Sequence, residues 1–329
     1  MASDLQFAHA HDASNRRASL ALAIGVFAIG WSAIFVRWTS VSGMVSAFYR
    51  LAIASLVLVP WRMASTRGRR RTITRAARGA AVVAGVVFAA DLAFFNSAIM
   101  ATNAANATLL GVNAPIFVGL GAWMLYGKRP QRRFWIGFAL AFAGMIAIVG
   151  ADVVLHPSFG FGDLLAVLGA LSYGVYLLYV QRARAAMDTL TFSAWCVASG
   201  AVTLFVVCLV ARQQLWGFSA QSWAALVALA LVTQVGGHLL VAYALGHLSV
   251  TMSSIVLLAQ APITALLAWP LLGEPIRAGQ ILGGALVLAG IGVVNMNRGA
   301  ARAASGDAAA DANANAGANA SALSVDAKA

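Results

Sequence analysis

Charged residues and cysteines are scarce in this sequence. Asp, Glu, Lys and Arg make up only 10% of the 329 residues, whereas 61% are apolar. A water-soluble domain of this composition would have too little polar surface to cover its core, so the lipid bilayer is predicted to be the main solvent. The two cysteines, Cys196 and Cys208, fall in one apolar run and indicate neither a disulfide framework nor a metal site.

Acidic residues are scarcer than basic ones, 10 against 22, and the formal net charge is +12. Such a charge in a soluble protein suggests nucleic-acid binding. Here the basic residues lie in short gaps between apolar runs, where they are a signal of membrane topology. No nucleic-acid partner is therefore predicted.

Motifs of known catalytic centres are also absent. The sequence has no H-E-x-x-H, no G-x-S-x-G, no cluster of carboxylates and no Walker motif. We therefore expect neither an enzyme nor an ATP-driven pump, and no cofactor or metal. A membrane-embedded enzyme is the least favoured alternative.

Ten apolar runs are long enough to cross the hydrocarbon core, which takes about 20 helical residues. None of them alternates as a barrel strand would, so the predicted fold is an all-α integral membrane bundle of ten transmembrane helices. The runs cover residues 19–37, 41–61, 79–100, 103–126, 134–151, 161–180, 189–211, 222–245, 248–272 and 279–297.

Two stretches, 96–144 and 243–290, resemble each other at an offset of 147 residues. A repeat of this length in apolar sequence is typical of transporters built from two related halves that close on a midplane site. The equivalent residues are Asn106 and Ser253, Asn113 and Gln260, Ala114-Pro115 and Ala261-Pro262, Asp91 and His238 just upstream, and, after a slip of one residue, Gly127 and Gly273, Gly137 and Gly283, and Gly144 and Gly290.

Basic residues mark one side of the membrane. With the N-terminus inside, 18 of the 22 lie in inner segments, seven of them between residues 62 and 78. This bias predicts that both termini are cytoplasmic. Because each half has five helices, the second half enters the membrane upside down relative to the first, which gives a 5+5 inverted repeat around a central cavity.

The predicted organisation has five parts. They are a cytoplasmic N-terminal leader (1–18), a first five-helix repeat (19–151), a periplasmic linker (152–160), a second five-helix repeat (161–297) and a disordered cytoplasmic tail rich in Ala, Asn, Asp and Gly (298–329).

Short motifs occur in a fixed order along this plan. They are Phe48-Tyr49-Arg50 in the second span, Ala-Pro in the fourth and ninth, G-D-L-L-A from Gly162 to Ala166 at the start of the sixth, and Gly273-Glu274-Pro275 after the ninth. Together they resemble the drug/metabolite transporter superfamily with two EamA-type domains, over residues 19–297. The sequence departs from that family at Gly127-Lys128-Arg129, where an acidic residue usually follows the glycine in both halves.

The resemblance implies a secondary carrier of the inner membrane that moves small metabolites, amino acids, nucleotide sugars or drugs without ATP. Some prokaryotic members export amino acids, and the favoured reading is such an exporter, working as a monomer by alternating access of its two halves. Efflux of toxic drugs or cations by the same fold is the alternative.

Polar residues at mid-membrane depth are the candidate substrate ligands, because a polar group in hydrocarbon is costly. Asn106 and Asn113 are two helical turns apart on one face of the fourth span, and Ser253 and Gln260 repeat this spacing on the ninth. Inverted halves would bring both faces to one cavity. The alternative is that these side chains only hydrogen-bond neighbouring helices.

Asp91 and His238 are candidates for proton coupling, because histidine titrates near neutral pH and a buried carboxylate can approach it. The alternative for Asp91 is a structural ion pair with Arg50, also within a span. His238 has no evident partner in the sequence, which favours substrate contact. The aromatic candidates for substrate binding are Trp31, Phe94, Tyr173, Tyr176 and Tyr243.

Overall fold

The protein is a bundle of helices. The computed structural model describes residues 2–65, 73–101, 110–111, 113–127, 129–149, 160–273, 278–279 and 281–294, and no strand occurs among them. The predicted disordered tail, Asn106 and all of the predicted linker except Gly160 lie outside these residues.

Thirteen α-helices are described, with one π-helical and one 3-10 segment between them. They are α1 (Ala2–Gly30), α2 (Ser32–Trp38), α3 (Gly43–Ser65), α4 (Arg75–Ala101), α5 (Ala114–Tyr126), α6 (Arg132–Val149), α7 (Phe161–Arg184), α8 (Thr189–Val210), α9 (Ala220–Ala228), the π-helical segment Leu229–His238, α10 (Leu239–Leu245), α11 (Val250–Val256), the 3-10 turn Leu257–Ala259, α12 (Gln260–Leu272) and α13 (Ile281–Val294).

Seven helical stretches among the described residues are long and apolar enough to cross a membrane. They coincide with the first, second, third, sixth, seventh, eighth and ninth predicted spans. At the fourth, fifth and tenth predicted spans the chain forms α5, α6 and α13, of which α5 and α13 are shorter apolar helices. The all-helical membrane architecture is therefore confirmed, whereas the count of ten spans stays a prediction.

The sequence repeat is visible in the backbone of the fourth and ninth spans. α5 and α12 each have 13 residues and begin next to the repeated Ala-Pro, α5 after a turn at Asn113 and α12 after the 3-10 turn. Proline has no N–H to donate, so it suits the first turn of a helix. Both helices end at a left-handed glycine, Gly127 with φ 65° and Gly273 with φ 69°. In both equivalent spans the regular α-helical backbone is thus interrupted just before the repeated Ala-Pro, by a turn at Asn113 in the fourth and by a 3-10 turn within a continuous helical stretch in the ninth.

Helices from the first and second parts of the chain interleave. α4 packs most extensively on α7, α3 packs on α8, and α1 packs on the π-helical segment and α10. Glycine permits two of these approaches: a β-carbon on Gly200 would lie 2.9 Å from the carbonyl oxygen of Gly85, and one on Gly25 would lie 2.9 Å from that of Gly237. The interior of the bundle is consequently lined by both parts.

Small residues join α6 to α13. A β-carbon on Gly137 would lie 2.7 Å from the carbonyl oxygen of Gly290, and one on Gly144 would lie 2.8 Å from the nitrogen of Val287. Such close backbone approach is typical of small-residue packing between membrane helices, where dispersion contacts drive association. The glycines of α6 and α13 are therefore packing residues.

Candidate functional site

The eighth predicted span is not a regular helix. α9 leads into the π-helical segment, and α10 follows it. A turn of π-helix holds about one residue more than a turn of α-helix. The Thr233 hydroxyl donates to the Leu229 carbonyl at 2.6 Å, and Thr233, Gln234 and His238 are all buried. Such segments are rare and often occur at functional sites. Here the segment carries two polar side chains into the bundle.

Arg50, on α3, lies at the centre of these polar groups and is only 6% exposed. Its Nε donates to Gln234 Oε1 at 2.9 Å, and its Nη1 donates to the Ser32 hydroxyl at 3.3 Å. Its Nη2 lies 3.1 Å from Nδ1 of His238. Three neutral partners from the two ends of the sequence therefore hold the guanidinium in one position.

Aromatic rings close one side of this cluster. Phe88, on α4, lies between His238 and Tyr176, with its ring centroid 5.1 Å from that of His238 and 4.5 Å from that of Tyr176. The Tyr176 ring stacks on the Tyr173 ring with 5.7 Å between their centroids. The Arg50 guanidinium lies over the Phe88 ring at 5.9 Å from its centroid. A cation over an aromatic face is attracted by the ring quadrupole, so these rings help to hold the arginine inside the bundle.

Asp91 lies one helical turn beyond Phe88 on the same face of α4 and is half-buried. Its charge interacts with Arg50 and with the Tyr173 hydroxyl. Within the described part of the chain, however, Arg50 directs its hydrogen bonds to Ser32, Gln234 and His238 and none to Asp91. Neutral partners thus hold the arginine, and the structural ion pair of Asp91 with Arg50 stays a prediction.

His238 has partners in the fold that the sequence does not reveal. The sequence offered it no partner, yet in the fold its ring contacts Arg50 and the Thr233 carbonyl, the latter at 3.0 Å. Ser32, Phe88 and Gln234 belong to the same cluster and were not predicted. Of these three, Gln234 has a sequence signal, because it is an amide within an apolar run. Its equivalent in the repeat is the apolar Val87, so it is not one of the equivalent polar pairs.

The remaining aromatic candidates are dispersed. Trp31 lies beside Ser32, is half-buried and stacks on Phe35 at 5.6 Å, whereas Phe94 is half-buried farther along α4. The Tyr243 ring instead packs against the His247 ring, with 4.6 Å between their centroids. The structure therefore brings Tyr173, Tyr176, His238, Asp91 and Arg50 together and leaves Tyr243 outside their cluster.

The polar residues of the fourth and ninth spans lie next to the two helix interruptions. Asn113 donates from Nδ2 to the Leu110 carbonyl at 3.0 Å, and Gln260 is half-buried at the start of α12. The Ser253 hydroxyl is buried and has no hydrogen-bond partner among the described residues. α11 packs against α5, so the two spans do meet. A shared cavity between them stays a prediction.

A cavity of about 800 Å³ lies at one end of the bundle, which we call the arginine-rich end because Arg129, Arg133 and Arg182 line the cavity. Its lining includes Arg129, Arg133, Arg182, Gln131, Gln181 and His247, and no acidic residue is among the described residues that line it. Arg129 also lies over the Trp123 ring at 5.1 Å. The cavity therefore presents positive charge at one mouth of the bundle.

Comparison with known proteins follows the same plan. The chain matches the EamA-like transporter family over residues 16–150 and 160–296. An uncharacterised transporter of Archaeoglobus fulgidus is 26% identical over 282 residues, which cover 84% of this chain and 96% of the relative. A protein of Streptantibioticus cattleyicolor named "Probable terminal-alkyne amino-acid exporter" is 28% identical over 282 residues, covering 84% and 92%. A solved crystal structure superposes with a TM-score of 0.69 at 19% identity, covering 85% of this chain and 97% of that one, which supports the fold alone.

Proposed function

The chain belongs to the EamA-like transporter family, and we propose that this membrane transporter exports small metabolites, amino acids in particular, by alternating access of two inverted halves. It works as a secondary carrier in the inner membrane, as a monomer with both termini in the cytoplasm.

One observation carries this proposal: the Arg50 cluster. Ser32 and Arg50 come from the first matched domain, whereas Gln234 and His238 come from the second, and their side chains meet inside the bundle. Polar and charged side chains are costly inside a membrane protein and mark substrate or ion pathways. Because the cluster joins the two halves, a movement of one half against the other would rearrange it, as alternating access requires.

Two further features support the route and the halves. The basic cavity at the arginine-rich end supports entry from the side that the charge bias assigns to the cytoplasm. The departures from regular α-helical geometry just before α5 and α12 support substrate binding between the halves, since irregular helices at equivalent positions form the sites of many carriers. The name of the Streptantibioticus relative is what directs the choice of substrate toward amino acids.

Transport by purified protein in liposomes tests the proposal. Uptake or counterflow is measured for a panel of amino acids and of cationic drugs, with and without an imposed pH gradient. Saturable movement of one or more amino acids without ATP is the expected result. Empty liposomes and liposomes with heat-denatured protein are the controls. Movement of no amino acid would overturn the substrate assignment.

Efflux of cationic drugs is the second candidate, and a specific observation favours it. Asp91 is half-buried, acts through its charge on Tyr173 and, in the described part of the chain, has no hydrogen bond to Arg50. A membrane carboxylate next to aromatic rings is suited to a lipophilic cation. In the same liposome panel, saturable movement of cationic drugs with no movement of amino acids would support this function instead.

A further inference from the structure

We propose that Arg50 and Asp91 together recognise the two charges of a zwitterionic α-amino acid, the guanidinium taking the carboxylate and the carboxyl group taking the ammonium. This inference rests on the proposed amino-acid transport and deepens it, because it names the residues and the ligand chemistry. It gives both residues a role in the substrate site in place of a structural ion pair.

Among the residues that the structure describes, Arg50 is hydrogen-bonded only to neutral side chains. A guanidinium has five N–H groups, and three nitrogens of Arg50 each contact one neutral partner. Donors on both terminal nitrogens are therefore left for a further acceptor. A planar fork with free donors on both terminal nitrogens matches the two oxygens of a carboxylate.

Ser32, Gln234 and the ring of His238 fix the orientation of that fork. They contact the guanidinium at 3.3, 2.9 and 3.1 Å, and Gln234 and His238 are themselves buried. Preorganised donors lose little conformational freedom when a ligand arrives, which makes such an arrangement effective for binding. The three neutral residues are thus positioning residues for the arginine.

Asp91 provides the opposite charge. It lies one turn from Phe88, the ring that the Arg50 guanidinium covers, and its charge acts on both Arg50 and Tyr173. Unlike Arg50 it is half-buried, so it lies toward the accessible side of the cluster. Two opposite charges that lie near each other without a mutual hydrogen bond each gain a partner when an amino acid enters with its own two charges.

The rings next to Asp91 indicate where the rest of the ligand would lie. Tyr173 and Phe94 are half-buried on the two helices that pack most extensively on each other, α7 and α4. Their apolar surface suits an aliphatic or aromatic side chain better than a charged one. We therefore assign the site to neutral amino acids with apolar side chains.

Three isosteric probes separate the two charges. L-leucine carries both, 3-methylbutylamine is leucine without the carboxylate, and 4-methylpentanoate is leucine without the ammonium. Affinity for each is measured by the thermal shift and intrinsic fluorescence of the purified full-length protein in detergent, which avoids leakage of the probes across a bilayer. We expect leucine to bind at least about tenfold more tightly than either truncated probe, as the loss of a charged hydrogen bond predicts.

Two variants then remove one charge preference each. Asp91→Asn should weaken leucine at least about tenfold and leave 4-methylpentanoate unweakened, because the ammonium loses its partner. Gln234→Glu places a carboxylate where the amide oxygen lies 2.9 Å from Arg50 Nε, so it neutralises the arginine within the protein. It should abolish the advantage of leucine over 3-methylbutylamine. Gln221→Glu adds the same charge at an exposed position at the start of α9 and is the matched control.

The outcomes distinguish this inference from the proposed function. If wild-type protein binds 3-methylbutylamine as tightly as leucine, or if each variant weakens all three probes equally, the assignment of the two charges is overturned. If it binds none of the three but moves other metabolites in liposomes, the inference is overturned while the transport function stands. Binding of leucine with the two variant-specific losses supports it, and Arg50→Lys, which keeps the charge but not the fork, should then retain only part of the affinity.

Discussion

The Nη2 atom of Arg50 and the Nδ1 atom of His238 lie 3.1 Å apart, and the same ring nitrogen lies 3.0 Å from the carbonyl oxygen of Thr233. Arginine only donates, so this contact is a hydrogen bond only while Nδ1 carries no proton. A protonated ring would donate to Thr233 and repel the guanidinium. The protonation of His238 is thus linked to a contact between the two halves of the chain.

We predict that His238 contributes to proton coupling. His238→Gln keeps a polar side chain that can accept from Arg50 but does not titrate, so the pH dependence of transport should flatten while substrate exchange continues. Initial rates of uptake and of exchange in liposomes at several internal and external pH values measure this. Asp91→Asn tests the second candidate in the same way.

His11→Gln, in the leader, is the control for loss of a histidine. A wild-type carrier whose rate and driving force do not respond to pH would exclude proton coupling by either residue. In that case loss of folded protein in Asp91→Asn, restored by also neutralising Arg50, would support a structural role for the pair.

Features of the fold that depend on neighbouring residues could be predicted from the sequence, whereas contacts between residues far apart in the sequence could not. The ends of α5 and α12 follow from local rules, since Ala-Pro starts each helix and a left-handed glycine, Gly127 or Gly273, ends it. Equivalence of these spans was therefore evident from the repeat. The partners of Arg50 were not, because Ser32, Gln234 and His238 are 18, 184 and 188 residues away and occupy non-equivalent positions.

The π-helical segment could not be predicted from the sequence for a different reason. Leu229–His238 shows the same apolar periodicity as a regular helix, and in the structure the segment packs against α1 and α3. It carries Gln234 and His238, which both contact the arginine. Clusters made by such local irregularities require the three-dimensional structure.

Loop accessibility should follow the charge bias. Gln214 and Ala186 are exposed in the loops after α8 and α7, whereas both native cysteines are buried. In intact cells an impermeant thiol reagent should label Gln214→Cys, and Ala186→Cys should react only after permeabilisation. The unsubstituted protein gives the background. The opposite pattern of labelling would refute the predicted orientation of the second half.

The contact between α6 and α13 should not tolerate a methyl group. A β-carbon on Gly290 would lie 2.9 Å from the nitrogen of Ala141 and would also contact the Gly137 carbonyl oxygen. Gly290→Ala should lower the free energy of unfolding by about 1–3 kcal/mol, the usual cost of overpacking. Gly292→Ala, two residues along α13, meets nothing within 4 Å and should be neutral or slightly stabilising. Unfolding in detergent micelles followed by circular dichroism measures both, and equal effects would disprove tight packing.

Asp188 caps α8 through a hydrogen bond from the Thr191 N–H at 2.9 Å. Burial raises the pKa of Asp188, but the hydrogen bonds from the backbone and side chain of Thr191 outweigh it, so the pKa lies below its ordinary value. The charged cap therefore contributes stability above the unfolded pKa and loses it as the pH falls through the folded one. Asp188→Ala should cost about 1 kcal/mol at neutral pH.

Asp188→Asn retains a capping oxygen and should cost much less than the alanine variant. Thermal unfolding of both variants at pH 7 and at about pH 3 is the measurement. The difference between wild type and Asp188→Ala should shrink in acid. A difference that stays constant with pH would show that the carboxylate charge does not contribute to the cap.

A variant of Ser253 can distinguish a role in substrate binding from a role in helix packing. Its hydroxyl is buried without a partner among the described residues, whereas the neighbouring Ser254 hydroxyl donates to the Thr251 carbonyl at 2.8 Å. A buried group that bonds a neighbouring helix destabilises the protein when it is removed, but an unsatisfied one does not. Ser253→Ala should therefore leave the free energy of unfolding unchanged or slightly higher and weaken substrate binding by about 1–2 kcal/mol, as should Asn113→Ala and Gln260→Ala. Ser254→Ala is the matched control and should leave substrate affinity unchanged. Paired measurements of unfolding in detergent and of substrate affinity test this, and a loss of stability in Ser253→Ala with unaltered affinity would place Ser253 in the packing of the bundle instead.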